Sequence, residues 1–400
     1  MSAALEADVL ILGASYLGAE LVYLLRRRAP QLRLTVVDRQ RTHGYIPLAH
    51  ERLVGRLDWD ASTLRTAEFV ARQGATFVHG EVASMDPRTK RVTLADGRVL
   101  HARFIVVGLG SVTTAPARIP GRENFLGHKL AAECDGARLQ LARVLGPEAA
   151  SDGEPPHVVV VGAGISGIEM AGELAHLGVR RTAGWRAPQV TLIHADTRAV
   201  PYFPQRVSEA VERRLRAQNV VLRKQTTLVA AEAGAVTVVD ADGREERLRA
   251  DLAIWCGGVR PAPVLAALGL PRTPDGWLQV RPTLECGAFG PDVFAGADCA
   301  RVVDEQGKRW PTMQRAIEAL WAADTIAAQL VRLAKEKPGY PRAIPALRRH
   351  RLRPDFFHGL SLGGESLVVH GDKIVDLGAM NVGFRRFLMW GYLRRYGQWR

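Results

Sequence analysis

Two stretches of the chain repeat one pattern of apolar and polar positions. In the first, the apolar run Val9-Leu10-Ile11-Leu12 breaks at Gly13-Ala14-Ser15-Tyr16-Leu17-Gly18. Leu17, Leu21, Leu24 and Leu25 then recur at helical spacing, and Leu32-Arg33-Leu34-Thr35-Val36-Val37 alternates towards Asp38. Apolar residues three and four apart predict a helix with one buried face, and alternation predicts a strand. In the second, Val158-Val159-Val160-Val161 runs into Gly162-Ala163-Gly164-Ile165-Ser166-Gly167, with a helical pattern through residues 170–177 and a strand at Val190-Thr191-Leu192-Ile193. Each stretch reads as a βαβ unit opened by a glycine turn.

Between the two units lie short β-type segments at Thr76-Phe77-Val78, Val82, Arg91-Val92-Thr93-Leu94 and Phe104-Ile105-Val106-Val107. Asp96-Gly97 marks a hairpin between two of them. Residues 147–156 are polar and turn-rich and predict a domain boundary. Beyond the second unit come a turn at Asp242-Gly243, the apolar run Leu252-Ala253-Ile254-Trp255, and a strand-like Asp292-Val293-Phe294-Ala295. The last leads through Gly296-Ala297-Asp298 to a helical stretch at 313–330. Residues 355–400 read as a separate strand-then-helix appendage. The predicted class is α/β: two Rossmann-like dinucleotide-binding domains and a C-terminal α/β appendage. A chain that holds two dinucleotides at once is suited to passing electrons from one to the other.

Composition narrows this picture. Four hundred residues, 47% of them hydrophobic, suffice for two or three full cores. The chain contains no apolar stretch long enough for a spanning helix, and its first residues have no basic region followed by a long apolar run, so neither a membrane span nor a secretion signal is expected. Cys134, Cys256, Cys286 and Cys299 form no CxxC pair and fit buried free thiols in a reducing compartment. The net charge of +13 is carried mostly by Arg in an Ala-, Gly- and Leu-rich chain, a bias that a GC-rich coding sequence produces. The end of the chain is basic beyond that background: Arg348-Arg349-His350-Arg351-Leu352-Arg353, Arg385-Arg386, Arg394-Arg395 and Arg400.

The glycine turns carry the candidate chemistry. A strand running through a tight turn into a helix offers free N–H groups and a positive dipole end to a pyrophosphate. The first glycine permits the turn, the second admits the phosphates, and the third lets helix and strand pack closely. Gly162, Gly164 and Gly167 satisfy all three. In the first turn Gly13 and Gly18 are present but Ser15 takes the middle position, where its hydroxyl is a possible phosphate donor. Asp38 ends the following strand, where an acid accepts ribose hydroxyls. The matching position in the second unit is His194, with Arg198 nearby. The repulsion that an acid there exerts on a 2′-phosphate is absent, so NADH is expected and NADPH stays open. The bland alternative is a surface histidine beside a loop.

These residues, in this order and spacing, resemble the two-dinucleotide flavoproteins. The resemblance is greatest to type II (single-chain) NADH:quinone oxidoreductases and their apoptosis-inducing-factor-like relatives, across most of residues 7–330. It rests on the first turn with Asp38 and Arg39, on His43-Gly44-Tyr45-Ile46-Pro47-Leu48, and on Gly108-Leu109-Gly110-Ser111 with Ile119-Pro120-Gly121. It extends through the second turn to Glu173, Ile254-Trp255-Cys256-Gly257-Gly258-Val259-Arg260, and Val293-Phe294-Ala295-Gly296-Ala297-Asp298-Cys299-Ala300. The resemblance implies FAD in the first site, held by residues 1–150 and 285–335, and NAD(P)H in the second, residues 151–284. It implies that Asp298 contacts the flavin ribityl chain, an N-cap being the structural alternative. Glu169 is a proton-relay candidate near the nicotinamide–flavin contact, or simply a helix-start carboxylate. Gln314 matches the first of two glutamines that line the family's quinone entrance, and Glu318 replaces the second; the two are expected one turn apart on one helix face.

No Cys pair stands beside the flavin segment and no Cys follows Cys299, which argues against dithiol and sulfide chemistry. No metal site is expected. His43 and His50 flank the flavin-like segment and read as packing or solvent-facing residues. Residues 336–400 are expected to form a membrane-surface or dimerisation region, because residues 384–400 mix Trp, Tyr and Phe with Arg, although the arginines gather on no single helical face. The implied protein is a peripheral enzyme on the cytoplasmic face of a membrane, with a quinone as acceptor and no specific nucleic acid. The alternatives are a reductase of a ferredoxin-like protein and a redox-sensing flavoprotein that binds a partner or nucleic acid.

Overall fold

The computed structural model describes residues 5–113, 115–149, 153–177, 185–335, 347–353, 356–376 and 378–397. Part of the predicted boundary at 147–156, the start of the predicted C-terminal region at 336–346, and Gln398, Trp399 and Arg400 lie outside them.

The first unit forms as its pattern predicts. Strand β1 (Leu5–Leu12) passes through the glycine turn into helix α1 (Tyr16–Arg28) and returns as β2 (Leu34–Asp38). β1 lies between β2 and strand β3 (Val99–Val107), parallel to both, with Leu10 opposite Thr35 and Ile105. Val9, Leu10, Ile11 and Leu12 are all fully buried, the unbroken apolar run of a parallel strand covered on both faces. The second unit repeats the plan: β4 (His157–Val161), helix α2 (Ile165–His176) and β5 (Gln189–Ile193), with β6 (Leu252–Trp255) parallel to β4 on its other side. The two units match atom for atom at their turns. Gly13 N–H donates to Val37 O at 2.8 Å, and Gly162 N–H to Ile193 O at 2.7 Å.

The chain returns to the first sheet with β7 (Val293–Ala295), which pairs in parallel with β3. Helix α3 (Ala316–Leu333) then packs beside α1. It begins three residues later than the pattern predicts. Gln314 has a left-handed backbone, φ +52°, and Arg315 is extended, so neither is helical. Gln314 and Glu318 are therefore not one turn apart on a helix face, as the sequence suggested.

Three antiparallel strands, His358–Ser361, Ser366–His370 and Lys373–Asp376, lead to helix α4 (Met380–Arg395), the predicted strand-then-helix order. α4 lies across both units. Its inward side carries Arg385, Arg386, Tyr392, Leu393 and Arg395; its outward side exposes Met380, Phe384, Phe387 and Leu388. The arginines that gathered on no single face in the sequence are sorted by partner: Arg386 pairs with Glu51 at 2.7 Å and Arg395 with Glu20 at 2.5 Å, both carboxylates buried.

Candidate active site

A cavity of about 460 Å³ opens at the carboxyl end of the first sheet. The first glycine turn forms its floor. Gly13 has φ +101°, and a Cβ there would stand 2.4 Å from Gly108 O; a Cβ on Gly18 would stand 2.0 Å from Gly13 O. The turn tolerates no side chain at either position, and its backbone lines the cavity. Asp38 braces the turn, accepting from Ala14 N at 2.7 Å and Gln40 N at 2.8 Å, and burial raises its pKa above the usual value. Ser15 and Arg39 line the cavity too. The Ser15 hydroxyl lies 3.1 Å from His43 Nδ1 and caps no helix, so it remains on the cavity wall. Burial lowers the His43 pKa to about 3, leaving a neutral ring.

The opposite end is polar and fixed. Asp298 lies on the cavity wall within a short 3₁₀ turn, Ala297–Cys299, rather than at a helix N-cap. Its Oδ2 accepts from Ser111 Oγ at 2.8 Å and pairs with Lys129 Nζ at 2.7 Å. Gly110, φ +70°, and Gln314 line the same wall, and Gln314 Nε2 donates to Asp298 O at 3.3 Å. Glu318 does not line this cavity. It is the third residue of α3, where its carboxylate pairs with Arg315 at 2.8 Å and accepts from the Thr312 hydroxyl and Met313 N–H. Those bonds close the start of a helix, which is what an acid at this position commonly does. Pro47 and Gly258 also lie off the wall, beside its members Ile46 and Val259; Pro47 O accepts from Arg385 at 2.7 Å.

The second unit reaches into the same cavity. Ser166, Glu169 and Met170 of α2 line it. Gly162, φ +101°, and Gly167 are as closely packed as their counterparts, a Cβ on Gly167 meeting Gly162 O at 1.7 Å, whereas Gly164 faces open space. This is the arrangement that lets a pyrophosphate approach the middle glycine. His194 is buried rather than a surface residue, with no hydrogen-bond partner for either ring nitrogen, and burial lowers its pKa. Arg198 is held by three neutral acceptors, Pro201 O, Phe203 O and Ser208 Oγ.

Glu169 sits at the junction of the two units. Arg385 of α4 lies 2.8 Å from its Oε1, His50 Nδ1 3.4 Å from its Oε2, and Ser361 N–H donates to it at 3.1 Å. Burial raises the pKa of Glu169 while Arg385 opposes that rise. Sequence reasoning missed Lys129, Arg385 and His128, and left His50 as packing. Lys129 and His128 stand in a segment without periodicity. Arg385 is separated from its partner by the entire second sheet, so no local pattern marks either.

The four cysteines are free and buried. Burial raises every thiol, Cys299 to about 11 and Cys134 to about 12, which removes the thiolate that disulfide or sulfide chemistry requires. Among the described residues no group of His, Cys, Asp or Glu is placed to hold a metal ion, and no helix is long and apolar enough to cross a membrane.

Two dinucleotide turns converging on one cavity define a two-dinucleotide oxidoreductase. The chain belongs to the pyridine nucleotide-disulphide oxidoreductase family, whose model matches residues 7–323. It is 27% identical to the type II NADH:quinone oxidoreductase of Haemophilus influenzae over 368 residues, 83% of this chain and 81% of that one. Its fold is similar to that of the sulfide:quinone oxidoreductase of Aquifex aeolicus, with a TM-score of 0.82 at 15% identity over 98% of this chain and 91% of that one. It is also similar to NDH2 from Plasmodium falciparum, solved in complex with NADH, with a TM-score of 0.81 at 11% identity over 98% and 96% of the two chains.

Proposed function

We propose that the protein passes a hydride from NADH to FAD and two electrons onward to a quinone. One observation carries this reading: Ser166 of the second glycine turn, with Glu169 and Met170 just after it, lines the cavity whose floor is the first. Two dinucleotides held by those turns would bring their reactive rings together there. The residues fit FAD. Gly13, Ser15 and Gly18 at the α1 N-terminus would take the pyrophosphate, Asp38 the adenosine ribose, and Asp298 with Lys129 the other end. The flavin supplies the redox chemistry; the chain supplies position, a dry wall and the charges around it. Gly162, Gly164 and Gly167 would hold the nicotinamide dinucleotide.

Purified protein is expected to be yellow with non-covalent FAD, to bleach anaerobically with one equivalent of NADH, and to recolour rapidly on mixing with a soluble quinone. Colourless folded protein that does not take up FAD refutes the reading. Faster recolouring with an acidic ferredoxin-like protein than with any quinone replaces the acceptor, and a reduced state that no acceptor discharges points to a sensor.

The acceptor's delivery is a separate matter. The outward side of α4 presents Phe384, Phe387 and Leu388, each about half exposed, beside Met380 at 79%. Such a side suits the headgroup layer of a cytoplasmic membrane surface. Phe384→Ser, Phe387→Ser and Leu388→Ser together are expected to weaken co-sedimentation with anionic vesicles about tenfold or more, since burying each side chain gives roughly 1.5–3 kcal/mol, while turnover with a soluble quinone is kept. Unchanged sedimentation, or a monomer where the parent is a dimer, assigns that side to a second copy instead.

A further inference from the structure

NADH delivers two electrons and one hydrogen nucleus, whereas a quinone becomes a quinol by gaining two electrons and two protons. Each turnover therefore draws one proton from solvent, and a group at the cavity has to take it up. We propose that His50 is that group: its ring gains a proton when the cavity gains the hydride's charge, with Glu169 and Arg385 as positioning residues. The inference rests on the reading above, that NADH reduces FAD in this cavity.

His50 lines the cavity and is 3% exposed. Its Nδ1 lies 3.4 Å from Glu169 Oε2, and its Nε2 has no partner in the protein. The charged groups around it come from four places: Glu169 on α2, Arg385 on α4, Arg56 just beyond its own short helix, and Lys129 beside His128 in the segment that precedes helix Ala131–Leu145. Burial, reinforced by Arg385 and Arg56, holds the resting ring neutral. Once the oxidised nicotinamide has left with its positive charge, the reduced flavin would leave a net negative charge in a cavity of low dielectric and reverse that balance, because it favours the protonated ring far more strongly than it would in water.

The neighbouring candidates are less suited. Glu169 has both oxygens engaged, Oε1 by Arg385 and Ser361 N–H and Oε2 by His50 itself. His43 Nδ1 is engaged by Ser15. His128 has no carboxylate at its ring: its Nε2 faces Cys256 Sγ at 3.9 Å, and the Lys129 ammonium lies beside it. His50 alone among them combines an unpartnered nitrogen with a carboxylate at its other nitrogen. That carboxylate fixes the ring and stabilises its cation, as it does in acid–base histidines generally. The steps balance. Hydride transfer would break one C–H bond of NADH and leave that hydrogen and both electrons on the flavin; solvent then loses one proton to a His50 ring nitrogen. When two electrons leave, the hydrogen held on the flavin and the proton on His50 would both be given up, and two O–H bonds form on the quinol.

The test counts protons. Holoprotein in weakly buffered solution near pH 7, with a pH-indicator dye, is reduced anaerobically by one equivalent of NADH while flavin bleaching is followed in parallel. One proton taken up per flavin is expected for the parent and none for His50→Gln or His50→Asn. Uptake by either variant equal to that of the parent overturns the proposal. So does its complete loss in His128→Gln, which places the proton elsewhere, whereas Glu169→Gln, which removes the positioning carboxylate, is expected to lower the uptake. Should the His50 variants not fold, the parent labelled with ring-¹⁵N histidine decides: its reduced-minus-oxidised infrared difference spectrum is expected to show an imidazolium band, and its absence overturns the assignment. A flavin that NADH does not bleach is a different failure, seen before any proton is counted, and it refutes the proposed function itself.

Discussion

Arg385→Met is expected to lower stability by about 3–5 kcal/mol near neutral pH, the usual cost of leaving one partner of a buried ion pair alone. Arg385 and Glu169 are both nearly inaccessible, with side chains 11% and 7% exposed. Removing the guanidinium leaves the Glu169 carboxylate with one backbone donor and a neutral imidazole. It also removes the hydrogen bond to Pro47 O. Glu169 already has a raised pKa, and loss of the cation raises it further. A carboxyl whose folded-state pKa lies above its unfolded value is stabilising when protonated, and that contribution fades as the pH rises through the folded pKa. The deficit of Arg385→Met against the parent should therefore shrink as the solution is made more acidic. Thermal unfolding of both proteins across pH 5 to 8 checks this. A deficit that grows on acidification, or none at all, shows that the pair is not the buried contact described.

Gly18→Val is expected to abolish flavin retention while much of the fold persists. A Cβ at Gly18 would meet Gly13 O at 2.0 Å, and Gly13 cannot retreat because its own pseudo-Cβ direction is filled by Gly108 O. The contact would push α1 off the turn, so the N–H groups that face the pyrophosphate would no longer converge. Overpacking costs typically 1–3 kcal/mol, and losing the phosphate cradle lowers affinity by orders of magnitude more than the same strain elsewhere. Gel filtration followed by an absorbance ratio of flavin to protein reads the result. The matching Gly167→Val, with its Cβ at 1.7 Å from Gly162 O, should leave the protein yellow but unable to bleach with NADH. Retention of flavin by Gly18→Val would mean that the first turn is not the cradle.

What local sequence dictates was readable; what distant residues settle was not. Gly13, Gly18, Gly162 and Gly167 stand out because each is required by a turn within six residues of itself. The three-residue error at α3 also had a local cause: Glu318 is at the third helical position, where an acid closes a helix start, and its bonds to Thr312 and Arg315 set the boundary. Reading Glu318 as a start signal would have placed the helix boundary correctly. No such signal marks the cluster of Glu169, His50 and Arg385. Its members come from α2, a short helix after the first unit, and α4, and only the folded chain brings them together. The same holds for α4 as a whole. Periodicity sorts residues into an inner and an outer face only when the inner one is apolar, and here arginines turn inward to meet Glu51 and Glu20.

The hydrogen bonds that α4 makes join residues 338 apart between Pro47 and Arg385, and 375 apart between Glu20 and Arg395. Closing loops of that length is entropically slow, and contacts across them reward the chain only once both dinucleotide units exist. The order of events on the folding pathway follows. Each βαβ unit can collapse on its own local contacts, but Glu20, Glu51 and Glu169 gain their cations only when α4 docks. A nick in the connection before α4 would leave two well-formed sheets and three buried acids without their cations.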